Sequence, residues 1–82
     1  MIFWHTYILK SLKTGELYKG HCEVLERRLA EHNSGKTKST KGGIPWEIVW
    51  FEKFETREEA MKREKYLKTA AGRRYVKFKL YL

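Results

Sequence analysis

Eighty-two residues make one domain, 1–82, with room for a single small core, and 41% apolar with 15% aromatic residues exclude a disordered chain. Eighteen Lys and Arg against ten Asp and Glu leave a formal charge of +8, which favours a polyanionic partner, nucleic acid being the simplest. A lone cysteine, Cys22, excludes an intrachain disulfide, and without a signal-peptide pattern or a membrane-length apolar run the expected setting is the cytoplasm.

Ile2 to Leu12 is rich in aromatic and β-branched residues and reads as a strand, with Tyr7 and Leu9 on one face. KTGE (Lys13 to Glu16) supplies a glycine turn, and LYKGH resumes as the second strand of a hairpin. There Tyr18 and Gly20 share a face while Lys19 takes the other. EVLERRLAEHNSGK (Glu23 to Lys36) follows as a short helix stopping at Gly35, with Val24, Leu25 and Leu29 as its apolar stripe. The same side carries Arg28 and His32, whereas Arg27 faces outward with Glu26 and Glu31.

KTKSTKGG (Lys36 to Gly43) reads as a mobile basic loop, its Lys36, Lys38 and Lys41 suited to phosphate contacts. Past Pro45, WEIVWFEKF is a third strand, expected to be buried on much of both faces. TREE at Thr56 to Glu59 is a capping box that opens a helix to about Lys68. Ala60, Met61 and Leu67 define its apolar face and Glu64 projects among them; Glu58, Glu59, Lys62, Arg63 and Lys65 form a solvated face. In GRRYVKFKLYL, Val76, Phe78, Leu80 and Leu82 alternate as in a strand, while Val76 and Leu80 also suit a helix, so periodicity admits both.

Both helices therefore aim a charge at their apolar sides. A carboxylate there costs several kcal/mol unless it is paired. One solution is an Arg28–Glu64 ion pair with Tyr7 and Tyr18 as cross-strand packing partners. The other is a phosphodiester site, in which a cation meets the phosphate, a carboxylate holds a metal and a phenol moves a proton. His5, His21, Cys22 and His32 offer zinc-ligand atoms, but their spacing matches no compact zinc pattern.

The order of these residues resembles the GIY-YIG nuclease superfamily over nearly the whole chain. It is most similar to small single-domain members related to the N-terminal nuclease domain of the bacterial excision-repair incision enzyme. The first signature stands as His5-Thr6-Tyr7 in HTYILKS and the second as Tyr18-Lys19-Gly20 in LYKG. LERRLAEHNSGK places Arg28 eight residues after Gly20, where the family has its arginine, and EAMKRE matches the family's glutamate helix with Glu64. Gly-Ile of the first motif is replaced by His5-Thr6, the lysine after the second glycine by His21, and a tyrosine one turn past the arginine by His32. The asparagine that many members carry after the glutamate helix has no counterpart in LKTAAGRRYVKFK.

The resemblance implies an α+β fold, a three-stranded mainly antiparallel sheet flanked by helices, with the site on the sheet face under Arg28 and Glu64. It implies hydrolysis of DNA phosphodiesters, in repair or recombination, assisted by one Mg²⁺ or Mn²⁺ held by Glu64. Arg28 would grip the phosphate, Tyr18 would take the water proton with Tyr7 as its partner, and His21 would favour the phenolate and contact DNA. His32 would touch the phosphate or relay a proton. A homodimer or a protein partner would supply specificity. The competing readings are a non-catalytic nucleic-acid-binding module on the same scaffold and an interaction protein with a structural Arg28–Glu64 pair.

Overall fold

The computed structural model describes residues 2–80. Its elements are strand β1 (Trp4–Ser11), strand β2 (Leu17–Cys22), helix α1 (Leu25–Asn33), a 3-10 turn (Lys41–Gly43), strand β3 (Trp46–Phe54), helix α2 (Arg57–Leu67) and helix α3 (Ala70–Leu80). The three strands form one antiparallel sheet in the order β2-β1-β3, with Tyr7 opposite Gly20 and Thr6 opposite His21. The α+β architecture expected from the sequence is the one observed.

Strand alternation sends neighbouring β1 side chains to opposite faces, and each face has its own core. Tyr7 and Leu9 pack with Cys22 and Trp46 against Leu25 and Leu29 of α1. Ile8, on the other face, packs with Leu67 of α2 and Val76 of α3. On that side the Thr6 hydroxyl donates to the Ala60 carbonyl at 2.7 Å, tying α2 to the central strand. The helices bearing Arg28 and Glu64 thus lie on opposite faces, which corrects the expectation of a single sheet face beneath both.

The capping box forms as expected: the Glu59 amide donates to the Thr56 hydroxyl and the Thr56 amide to the Glu59 carboxylate. Met61, however, is exposed, so the buried stripe of α2 is Ala60 and Leu67. At the other helix Val24 precedes the first turn and is exposed, while Gly35 takes the left-handed conformation (φ +83°) that ends the segment. β3 is an edge strand and mostly half-buried, less covered than its apolar run suggests. The ambiguous C-terminal stretch is helical: Val76 is buried and Phe78 is 76% exposed, two residues that a strand would place on one face. Leu82, the last of that alternating series, lies outside the described residues.

Candidate active site

Tyr7, on the central strand, lies across Gly20 of edge strand β2. A Cβ at Gly20 would stand 2.5 Å from the Tyr7 hydroxyl oxygen, so the glycine of the second motif makes room for the tyrosine of the first. The Tyr7 and Tyr18 rings are 6.5 Å apart, and the Tyr18 ring meets His32 edge-on at 5.0 Å.

His32, on the inner side of α1, is 1% exposed and both ring nitrogens are engaged. Its Nδ1 is 2.8 Å from the Thr40 hydroxyl and its Nε2 is 3.0 Å from the Tyr7 hydroxyl. Because Thr40 directs its own hydrogen to the Thr37 carbonyl, its oxygen accepts from Nδ1–H. Nε2 of the neutral ring is then the acceptor, and Tyr7 donates to it. Thr40 also holds its loop down through the Trp46 indole N–H, which donates to the Thr40 carbonyl at 2.7 Å. The loop expected to be mobile is therefore pinned at its centre, while Lys36, Lys38 and Lys41 remain exposed around it.

Burial, then the Arg28 charge, holds His32 below its ordinary pKa, so it stays neutral. Burial, reinforced by Tyr18, pushes the Tyr7 phenol well above the usual phenol range; Arg28 pulls it down and Glu64 pushes it up. The sign of the His32 shift predicts a pH effect. Its depressed folded pKa means that the unfolded chain takes up the proton first, so its contribution is whole above about pH 6.5 and declines as pH falls towards the folded value. Urea unfolding at about pH 7.5 and about pH 5.5 should show a loss of stability on acidification that His32→Phe diminishes. An equal loss in both proteins would show that His32 is not its source.

Glu64 does not pair with Arg28. Its Oε1 is 2.6 Å from Nδ1 of His21 and its Oε2 accepts from Nζ of Lys68 at 2.7 Å. Burial raises the Glu64 pKa, but the hydrogen bonds from Lys68 and His21 and their charges outweigh it and hold the carboxyl below its ordinary value. Among the described residues Arg28 pairs only with Glu31, at 3.6 Å, and its side chain is 43% exposed. It lines a cleft of about 440 Å³ with His21, Cys22, Arg27 and Arg57 at the end of β2, so it is a cleft residue and not an inward-buried one. Arg27, expected to face away, lines the same cleft.

Glu64 and Lys68 line an adjoining cleft of about 250 Å³, and His21 belongs to both. Tyr18 opens instead on a third, of about 310 Å³, walled by Ser39, Gly42 and Gly43 of the basic loop. The predicted residues thus wrap around edge strand β2, with Tyr7, Tyr18, Arg28 and His32 on the α1 side and His21 and Glu64 on the α2 side. His21, which lines a cleft on each side, is the residue that joins them. Sequence reasoning missed Thr40 and Lys68. Thr40 looked like one more small polar loop residue, and Lys68 sits four residues after Glu64, a spacing that signals a helical ion pair.

Among the described residues no three His, Cys, Asp or Glu side chains form a metal-binding group. A divalent cation at Glu64 would therefore complete its shell with water and phosphate oxygens, as Mg²⁺ commonly does. The residues fit such a cation: the carboxylate is held below its ordinary pKa, is 19% exposed, and meets His21 and the Lys68 ammonium at hydrogen-bond distance.

The profile of the GIY-YIG catalytic domain matches residues 3–77. The chain belongs to the GIY-YIG family. This is a nuclease superfamily, and the relatives found are its small UPF0213 members. A UPF0213 protein of Staphylococcus saprophyticus is 39% identical over 74 residues, covering 89% of each chain. One from Clostridium perfringens is 45% identical over 65 residues, 78% of this chain and 69% of that one. The solution NMR structure of a UPF0213 protein from Bacillus halodurans superposes with a TM-score of 0.53 at 32% identity, covering 90% of this chain and 81% of the other. In this GIY-YIG domain the two signature tyrosines share one sheet face, and His5-Thr6 replaces Gly-Ile without disturbing it: His5 bonds the Glu23 carbonyl and Thr6 the Ala60 carbonyl. No helix among the described residues is long and apolar enough to cross a membrane.

Proposed function

We propose that this protein is a divalent-metal-dependent DNA endonuclease acting in repair or recombination. One observation carries the reading: Arg28 and Glu64 line adjoining clefts that share His21, and they do not pair with each other. An interaction protein with a structural Arg28–Glu64 bridge would need that pair.

Arg28 offers an always-charged donor fork to the phosphate. Glu64 would hold Mg²⁺ or Mn²⁺; Lys68, 54% exposed, is free to leave the carboxylate for a phosphate. When bound, the metal supplies positive charge at the phosphate and at the departing 3′ oxygen. Tyr18, half-buried and lining a cleft, takes the proton from the attacking water. Tyr7 is a poorer base, since its burial opposes the phenolate and its proton is directed to His32. Packed beside Tyr18, it positions that ring instead. His32 is too buried to meet DNA, so of its two expected roles the proton relay through Tyr7 fits.

Nicking of supercoiled and branched DNA with and without Mn²⁺ tests this reading. Metal-dependent nicking supports it, and binding without nicking in any metal would leave a nucleic-acid-binding module.

The basic loop should set much of the salt dependence. Replacing Lys36, Lys38 and Lys41 by Gln should flatten the plot of log affinity against log salt by about 0.9 for each lysine that meets a phosphate. All three are exposed, so the fold should be unchanged. An unaltered slope would place the loop outside the DNA path.

A further inference from the structure

We propose that Arg27 and Arg57 form a second phosphate seat beside Arg28, which holds the strand one phosphate away from the scissile one. The seat rests on the endonuclease reading above and extends it to the path of the DNA strand. The two arginines come from different helices, α1 and α2, yet line one cleft of about 440 Å³ with Arg28 and His21. Glu23 and Glu31 line it too, so three guanidiniums face two carboxylates and an unbalanced positive charge remains. Among the described residues neither Arg27 nor Arg57 forms an ion pair, whereas Arg63, elsewhere on α2, is committed to Glu52 at 2.8 Å.

Arg57 lies over the Trp4 ring at 5.7 Å. A guanidinium at cation–π distance from a ring face still has N–H groups available to an anion. That is the arrangement a phosphate needs: a charged planar donor, unopposed by its own carboxylate. Folding alone does not require it, because unpaired guanidiniums in one cleft repel one another.

The seat also completes a track. The loop with Lys36, Lys38 and Lys41 closes the cleft at the start of β2, beside Tyr18, and the Arg27–Arg57 cleft lies at its end, beside Cys22. A backbone laid along the edge strand would pass Tyr18 at one end and reach Arg28, His21 and the seat at the other.

The experiment measures DNA binding by fluorescence anisotropy, using oligonucleotides with one neutral methylphosphonate at each successive position around the cleavage site. An R27Q/R57Q double variant is compared with the wild type, and circular dichroism verifies that both are folded. The variant should bind unmodified DNA about tenfold more weakly, with a salt slope lower by about one. One methylphosphonate position, adjacent to the scissile phosphate, should weaken the wild type about tenfold and leave the variant unaffected, since charge and seat are then already uncoupled. A variant that binds like the wild type, or that loses as much as the wild type at every position, overturns the seat while leaving the endonuclease reading intact. A wild-type protein that binds no DNA overturns both.

Discussion

Replacing Glu64 by Gln is expected to lower metal-dependent nicking by about 10³-fold or more, because the charge stabilisation lost with a catalytic metal is worth several kcal/mol. The fold should survive. Glu64 is partly exposed and its partners are His21 and the largely exposed Lys68, not a buried arginine, so the stability cost is about 1 kcal/mol. Had Glu64 been neutralising a buried Arg28, its loss would have cost about 3–5 kcal/mol. Phosphate affinity should hold or rise, since a negative charge leaves a cationic site and Lys68 is released. Glu59, on the same helix, is the control: its carboxylate closes the capping box, which Gln can also do, and Glu59→Gln should keep nicking activity. Nicking and thermal unfolding measured on both variants decide the matter. A Glu64→Gln protein that cuts DNA normally removes the metal site.

Gly20→Ala should damage both stability and activity. The new methyl would stand 2.5 Å from the Tyr7 hydroxyl oxygen and 2.7 Å from the ring carbon that carries it. Tyr7 cannot yield easily, being 3% exposed, hydrogen-bonded to His32 and packed against Tyr18. Relieving the overlap costs about 1–3 kcal/mol. A displacement of the hydroxyl by about 1 Å can lower the rate by about 10²-fold. Gly42→Ala, where an added Cβ meets nothing within 4 Å, should leave both unchanged. Urea unfolding and single-turnover nicking report the two effects; a Gly20→Ala enzyme equal to wild type in both would mean that Tyr7 is free to move.

Local chemistry was legible in the amino-acid sequence wherever neighbours along the chain decide the outcome. The KTGE hairpin, the capping box of Thr56 and Glu59, the stop at Gly35 and the shared face of Tyr7 and Leu9 follow from backbone preferences and from periods of 2 and 3.6 residues. The positions of Tyr7, Tyr18, Arg28 and Glu64 followed from the spacing of a family's motifs, a pattern that says nothing of contacts. Periodicity left the last segment undecided because Val76 and Leu80 suit either period. Helix won there, with Gly72 of α3 packed against the backbone at the end of α2 where a side chain could not fit.

Partnership across the sheet was decided only by tertiary structure. Each helix shows in its own pattern that a charge leaves the solvated face, but not which group receives it. A mutual Arg28–Glu64 pair was one of two arrangements open to these charges, but the central strand separates their helices and each finds a neighbour on its own side. His32 reaches Tyr7, 25 residues earlier in the chain, and Thr40, eight residues later, because the α1 face brings β1 and the basic loop together. Arg27 joins Arg57 in one cleft because α1 and α2 both begin at the same end of the sheet. Amphipathicity is a property of one element, whereas a site built around a strand's edge depends on which elements flank it. That is fixed by how the two faces of β1 are covered, a long-range packing outcome that no window of the sequence contains.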